Sequence, residues 1–317
     1  MSAFLLRRVG QSVVLLVLVT AIAFGLMRLA PGGPESVYAL SPGMRAEDLA
    51  RIRASFGLDQ PIPVQYAKWA RGMFTGDWGR SYRDSRPVRD VIFDRIPATL
   101  ELTVTALAFA VIVGVLLGVL GALRPHSLPD YLATIGAMLA LSIPTFWFGL
   151  MVIFIFAVRL DWIPSGGRET MGADFSWTDR LHHLVAPALV LGLVLVATWS
   201  RYTRASMLET INQDYVRTAR AKGIAEKGVI WTHAFRNALG PLITLAGLQV
   251  PFLFSGALVT ESVFTWPGMG RLFVDSLGYR DYPVLMGVLV ITAMLVIGSN
   301  LVADLIIAVV DPRVRLR

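Results

Sequence analysis

Two polar pairs interrupt a chain that is otherwise apolar over long stretches: His182 with His183, and Asn300 with Asp304. Neighbouring residues on a helix point about 100° apart, a poor geometry for shared chelation, so the histidines read as an interfacial pair rather than a metal site. Asn300 and Asp304, four positions apart, share one helix face. An ionisable group inside a membrane span is a functional candidate by default. Asp304 also lies under two turns from Asp311-Pro312-Arg313, where the apolar run ends, so anchoring near the headgroups is the other reading. Glu101, near the end of another apolar run, is open in the same two ways.

Other chemistry has nothing to stand on. The sequence contains no G-x-x-x-x-G-K-[ST] phosphate loop, no H-E-x-x-H and no G-x-S-x-G elbow. It has no cysteine, which excludes disulfides, thiol nucleophiles and thiolate metal sites. The expectation is a non-catalytic chain without a metal or catalytic residue of its own.

The elements that must position these groups are membrane spans. Of 317 residues, 55% are hydrophobic and 16% charged, against about a quarter charged in a soluble domain. The apolar residues come in runs near 20 residues, long enough to cross a bilayer at about 1.5 Å per residue. Six spans are expected, at about 9–29, 98–123, 131–158, 184–200, 241–260 and 284–310. The first follows Arg7 and Arg8 and runs into RLAPGGPE with no A-x-A cleavage pattern, so it reads as a retained helix rather than a signal peptide. Between the first two spans lie residues 30–97, rich in charge, Gly and Trp. There Arg45–Leu58 has helical periodicity, with Leu49, Ile52 and Phe56 on one face, stopped by Asp59-Gln60-Pro61; a small ordered subdomain is expected.

The net charge of +7 is placed by the membrane and not by nucleic acid. With the N-terminus in the cytoplasm, the segment 201–240 holds seven Lys/Arg against three acids, and the C-terminal end three Arg against Asp311. The three external segments are close to neutral, as the positive-inside rule requires. Both termini are then cytoplasmic.

Within the spans, Ala110, Gly114, Gly118 and Ala122 form a small-residue stripe that lets a helix approach closely. Helix packing and a place on a substrate path are its two readings. In SIPTFWFG (142–149), Pro144 must kink or interrupt the third span.

The most informative segment is cytoplasmic. Asn212 or Asp214 can cap a short helix running to about Lys222. Gly223 permits a turn that a Cβ would resist. A second helix follows from about Glu226 and ends near Gly240-Pro241, where Pro suits the first turn of the next span. The first helix is expected to expose Thr218, Ala219 and Ala221, flanked by Arg217, Arg220 and Lys222: a flat, small, basic face. From the residues alone, a partner's docking surface and a helix resting on anionic lipid both fit.

The segment resembles the coupling loop of binding-protein-dependent ABC importer permeases, whose loose signature is E-A-A-x-x-x-G followed by a downstream L-P. Here it falls on Arg217, Thr218, Ala219 and Gly223, with Arg and Thr replacing Glu and the first Ala, and Leu239-Gly240-Pro241 replacing Leu-Pro at longer spacing. DYVRTARAKG and HAFRNAL are similar to the wording of the dipeptide, oligopeptide and nickel branch. So are FGLDQPIPVQY (56–66), GDWGRSY (76–82), RIPATLELT (95–103), SIPTFWFG, ESVFTWPGMGRL (261–272) and DPRVR (311–315), in order along the chain. The long first external loop resembles that of the branch's first permease subunit.

The resemblance implies an all-α polytopic protein with the type I ABC importer permease fold and six transmembrane helices. Its parts would be an N-terminal helix (1–30), an extracytoplasmic loop subdomain (31–94), a permease core (95–310) containing the coupling loop (206–240), and a cytoplasmic tail (311–317). It implies a bacterial or archaeal plasma membrane, a homologous second permease, two ATP-binding-cassette ATPase subunits and an extracytoplasmic solute-binding protein. ATP and Mg would be bound by the ATPases, leaving this chain without a cofactor. Docking residues would be Arg217, Thr218, Ala219, Arg220, Ala221, Lys222 and Gly223. Glu261, Trp266, Pro267, Gly268 and Gly270, external in this topology, are candidate contacts for the binding protein. Di- or oligopeptides lead as cargo, before nickel chelates, glutathione or oligosaccharides. A stand-alone secondary transporter would need mid-membrane coupling-ion groups and an internal repeat; neither is visible.

Overall fold

In the computed structural model, the described residues are 2–29, 45, 47, 48, 51, 54, 57, 59–255 and 257–310. The helices follow as α1 (Ser2–Leu29), α2 (Ile62–Thr75), α3 (Val88–Phe93), α4 (Ile96–Leu123), α5 (Leu128–Ser142) and α6 (Thr145–Val152), the last widening into a π-helix over Ile153–Arg159. Next come α7 (Trp177–Ile211), α8 (Asp214–Ala221), α9 (Glu226–Gly228) with a second π-helix over Val229–Phe235, α10 (Arg236–Ser255), α11 (Leu258–Val263), α12 (Met269–Gly278) and α13 (Tyr282–Val310). Among the described residues there is no strand, only an isolated bridge between Arg80 and Pro87.

Among the described residues, four stretches are long and apolar enough to cross a membrane: Gly10–Leu29, Val88–Leu123, Trp177–Ile211 and Tyr282–Ala303. A fifth is the pair α5 and α6, if counted as one crossing. α10, whose side chains at 250, 254 and 255 lie outside the described residues, is not in that count. Pro144 does more than kink the third expected span: the two halves meet at 103°. Proline removes the helical N–H and forces the residue before it out of the α region, and Ile143 is extended (φ −83°, ψ 126°).

α4 and α7 form the centre of the fold, and the small-residue stripe explains why. Ala110, Gly114, Gly118 and Ala122 are all buried. A Cβ at Gly114 would come within 2.5 Å of Trp199 Cβ, and one at Gly118 within 2.5 Å of Thr203 Cβ. From the other side, a Cβ at Gly192 would come within 2.7 Å of Phe109. Each helix thus supplies glycine where the other supplies bulk, which is how helices pack when lipid offers no hydrophobic drive. The stripe is filled by α7, so the packing reading holds and the substrate-path reading does not.

α7 has 35 residues. At about 1.5 Å per residue it is roughly 50 Å long, against a hydrocarbon core of about 30 Å. It therefore projects well beyond the bilayer and carries α8 on its end.

Of the expected helix over Arg45–Leu58, Leu49, Ile52 and Phe56 lie outside the described residues, while the described residues 47, 48, 51 and 54 are helical; the tail 311–317 also lies outside the described residues. The described part of the connection between the first two expected spans shares its core with α12 and α13. Val88, Val91 and Ile92 of α3 pack on Met269 and Leu272 of α12 and on Val284 and Val288 of α13. Ser81 Oγ donates to Asp281 Oδ2 at 2.5 Å, and Tyr82 N–H to Oδ1 at 3.1 Å. α2 rests on α1 through the Thr20–Tyr66 hydroxyl contact (3.0 Å) and the Phe24, Tyr66 and Trp69 rings.

Candidate coupling surface and outer cap

The sequence-predicted coupling residues sit on and after α8, where the structure revises several expectations. Neither Asn212 nor Asp214 caps this helix. Gln213 takes the N-cap position in an extended conformation (φ −74°, ψ 150°) without a side-chain cap bond. Asn212 Nδ2 instead donates back to Leu208 O (2.9 Å), satisfying a terminal carbonyl of α7. Asp214 falls in the first turn, where a negative charge suits the helix dipole.

Ala219 was expected on the exposed face; it is buried at 4% exposure beside Val216 and against Val229. Val216 and Ala219, three apart, share a face, and Val229 from the segment after the turn covers that face. Arg217, Thr218, Arg220, Ala221 and Lys222 remain exposed. Gly223 adopts φ +73°, the left-handed region that glycine enters freely. Around it there is open space for a Cβ, so backbone angle alone calls for glycine.

The turn is clamped by Arg220, whose Nη2 and Nε donate to Glu226 at 2.9 and 3.3 Å. The guanidinium holds the Glu226 carboxyl below the ordinary glutamate range, and the carboxylate raises Arg220 in return. After the clamp, no separate second helix ends near Gly240-Pro241. The backbone passes from Glu226 through the π-helix directly into α10, with Pro241 inside it. A π turn inserts a residue without breaking the axis. Ala234 and Ala238, both fully buried, bring this segment against Val119, Ala122 and Met207. Ser206 Oγ donates to Ala238 O at 2.9 Å. α8 thus packs on Val229, whose segment continues into the contacts of Ala234 and Ala238 with α4 and α7.

A second inner-end clamp was missed from sequence. Arg204 donates from Nε and Nη2 to the two oxygens of Asp130 at 2.6 and 2.8 Å, and His126 N–H adds a bond at 3.0 Å. It ties α5 to α7. The only sequence signal was a lone acid at the start of an apolar run.

At the opposite end, the candidate binding-protein contacts are mostly interior. Glu261 and Trp266 are fully buried, and Gly268 and Gly270 are buried with them, while Pro267 is half-buried. The Glu261 carboxylate accepts from Thr99 Oγ1 (2.9 Å) and from Arg271 N–H (3.0 Å) at the N-terminus of α12. A Cβ at Gly268 would run into that carboxyl, and one at Gly270 would come within 2.6 Å of Leu258 Cα. Trp266 Nε1 donates to Ala98 O at 2.7 Å. Glu261 and Trp266 thus brace this region from inside, while Thr265 is exposed.

Glu101 is resolved into a salt-bridge network, bonded to Arg168 Nε (2.9 Å) and Arg180 Nε (3.0 Å), with Arg180 also reaching Glu169 at 2.8 Å. The histidines diverge as their adjacency implies: His182 Nε2 meets Trp162 O (2.7 Å) and His183 Nδ1 meets Gly166 O (3.2 Å). Both fasten residues 160–170 over the ends of α4 and α7. Asn300 lines a cleft beside α1; the Asp304 side chain lies outside the described residues.

The chain as a whole has counterparts among known proteins. The family model described as binding-protein-dependent transport system inner membrane component matches residues 95–316, and its N-terminal companion matches residues 1–103. The oligopeptide transport system permease protein AppB of Bacillus subtilis (strain 168) is 44% identical, with 99% of each chain covered. The dipeptide transport system permease protein DppB of Escherichia coli (strain K12) is 38% identical, again with 99% of each covered. A solved structure of the MetNI methionine ABC transporter in inward-facing form aligns with TM-score 0.55 at 20% identity, over 72% of this chain and 99% of that one, which is a likeness of fold. The chain belongs to the family of inner-membrane components of binding-protein-dependent transport systems.

Proposed function

We propose that this chain is the first permease subunit of an ATP-binding-cassette importer and forms half of the translocation pore for di- or oligopeptides. The observation that carries the reading is α8: a short basic helix, exposed at Arg217, Thr218, Ala221 and Lys222 and locked to α4, α7 and α10 through Val229, Ala234 and Ala238. The cargo is supported by the printed names of the relatives.

In this reading α10 is the sixth crossing, both termini are cytoplasmic, and residues 31–94 form the external subdomain before the core (95–310). A homologous permease completes the pore. Two ATPase subunits hold ATP and Mg, each receiving a coupling loop (206–240), and a solute-binding protein delivers cargo to the outer cap. Closure of the ATPases on ATP pushes Arg217–Gly223, and the buried contacts of Ala219 pass that motion to the spans. The chain itself catalyses nothing.

The test is uptake of labelled dipeptide into cells carrying the full transporter. Gly223→Pro or Ala219→Arg is expected to abolish ATP-dependent uptake and loosen the ATPases, with the chain still in the membrane. Full uptake by such a variant without ATPase partners overturns the reading. The compound held by the purified binding protein separates peptides from nickel chelates, glutathione and oligosaccharides.

A further inference from the structure

Two arginines meet at the end of the fold opposite α8 without a carboxylate between them. Arg95 stands at the head of α4 and Arg271 in the first turn of α12. Thr99 Oγ1 accepts from Met269 N–H at 2.7 Å. That bond fixes α4, one turn after Arg95, against α12, two residues before Arg271. The two guanidiniums are close enough that their charges repel. Both residues are half-buried.

The nearby acids are engaged elsewhere. Asp94 accepts from Arg86 Nη2 at 2.7 Å, and Asp275 lies 3.8 Å from Arg271 Nε. The Glu261 carboxylate is turned to Thr99 and to the backbone N–H of Arg271. Arg271 Nη1 donates to Thr265 O, whereas Arg95 has neither an ion pair nor a side-chain hydrogen bond among the described residues. The other arginine pair at this end, Arg168 and Arg180, shares Glu101. Partial burial strips water from a cation, and a like charge beside it adds to the cost. A carboxylate held between Arg95 and Arg271 answers both, as Glu101 does for its pair. Thr265, which anchors Arg271, is exposed, so the pair opens at the surface.

We propose that Arg95 and Arg271 receive a surface carboxylate, from Asp or Glu, of the solute-binding protein as it docks. This role rests on the importer reading, which places that end of the chain outside. Opposite charge brought to a half-exposed pair speeds encounter and fixes orientation more than it adds raw affinity.

The test uses the full transporter in discs of phosphatidylcholine, with the purified solute-binding protein that sustains its uptake added over a series of salt concentrations. Binding to the unmodified transporter is expected to weaken as salt rises. Arg95→Gln is expected to lower affinity several-fold at low salt, chiefly through slower association, and to flatten the salt dependence. Arg95→Lys should keep most of both. A merely structural role would lower the thermal unfolding midpoint instead, and no such drop is expected for Arg95→Gln. Affinity and salt dependence unchanged in Arg95→Gln overturn the proposal. A loss that appears only when phosphatidylglycerol is added to the discs assigns the pair to a lipid headgroup and overturns it too. So does a loss that vanishes when the binding protein carries a C-terminally amidated dipeptide, which assigns the pair to the cargo's own carboxylate. If the unmodified chain recruits neither ATPase subunits nor a binding protein, the importer reading fails and takes this role with it. Unchanged behaviour of Arg95→Gln in a working transporter removes this role alone.

Discussion

Thr99 and Glu261 are 162 positions apart in sequence, yet the hydroxyl of one donates to the buried carboxylate of the other at 2.9 Å. The same hydroxyl accepts from Met269 N–H at 2.7 Å. One threonine on α4 thus ties α11 to the start of α12, and the outer cap hangs on it. Glu261→Gln keeps the shape but puts an N–H₂ where an acceptor is needed. It is expected to destabilise the protein by about 1–3 kcal/mol, read as a lower midpoint of thermal unfolding in detergent. Thr99→Val should act in the same direction, and the double variant should cost less than the two singles added, since they share one network.

Gly118→Val places a branched side chain where Thr203 Cβ already stands 2.5 Å from the Cβ site. Overpacking of this kind costs about 1–3 kcal/mol or more. The expected outcome is reduced accumulation in the membrane, partly restored by Thr203→Gly on the facing helix. Absence of rescue would count against the α4–α7 fit.

Gly223→Ala separates angle from space. Open space surrounds this position, so only φ +73° opposes the substitution, at about 1–2 kcal/mol. A mild loss of uptake is expected, less for Gly223→Asn than for Gly223→Ala, because asparagine visits this region more readily. Gly223→Pro, with φ fixed negative, should abolish uptake.

Protonation should open the Arg220–Glu226 clamp. The carboxyl is held below its ordinary value of about 4.3, so its contribution is complete above that pH. It is lost as the pH falls through the lowered folded value. Protection of the amides of residues 221–226, taken relative to their intrinsic exchange rates, is expected to fall once the pH drops below the ordinary glutamate range, and Glu226→Gln should show the reduced protection without that pH dependence.

The Asp130–Arg204 pair joins a carboxylate with 5% of its side chain exposed to a guanidinium with 31% exposed. Removing one partner of a fully buried pair costs about 3–5 kcal/mol; partial exposure of the arginine reduces this to roughly 1–3 kcal/mol. Asp130→Asn should lower the unfolding midpoint, and Arg204→Lys should recover less than full stability because the paired N–H fork is lost.

The membrane class, the positions of four spans and the left-handed turn at Gly223 were legible because each depends on local periodicity or a single backbone angle. Run length marks a span, and a glycine between two short helices marks a left-handed turn. The sharp break at Pro144 was legible in place but not in angle, since the 103° bend depends on what the two halves pack against. The buried state of Ala219 was not legible. A short helix shows which residues share a face but not which face is covered, and that was settled by Val229.

Sequence alone therefore determined what lies within a few residues: helices, their breaks, the clustering of basic residues in 201–240, and the family wording of Arg217–Gly223. Only the tertiary structure decided what distant residues do to one another. Ser81 meets Asp281, Arg204 meets Asp130 and Glu261 meets Thr99 across separations that no periodicity encodes. The physical reason is that a buried charge or hydroxyl must find a partner, while its sequence neighbours point elsewhere. Chain folding chooses that partner, which is why Glu261 and Trp266 are buried against the chain's own helices although their sequence neighbours do not announce it.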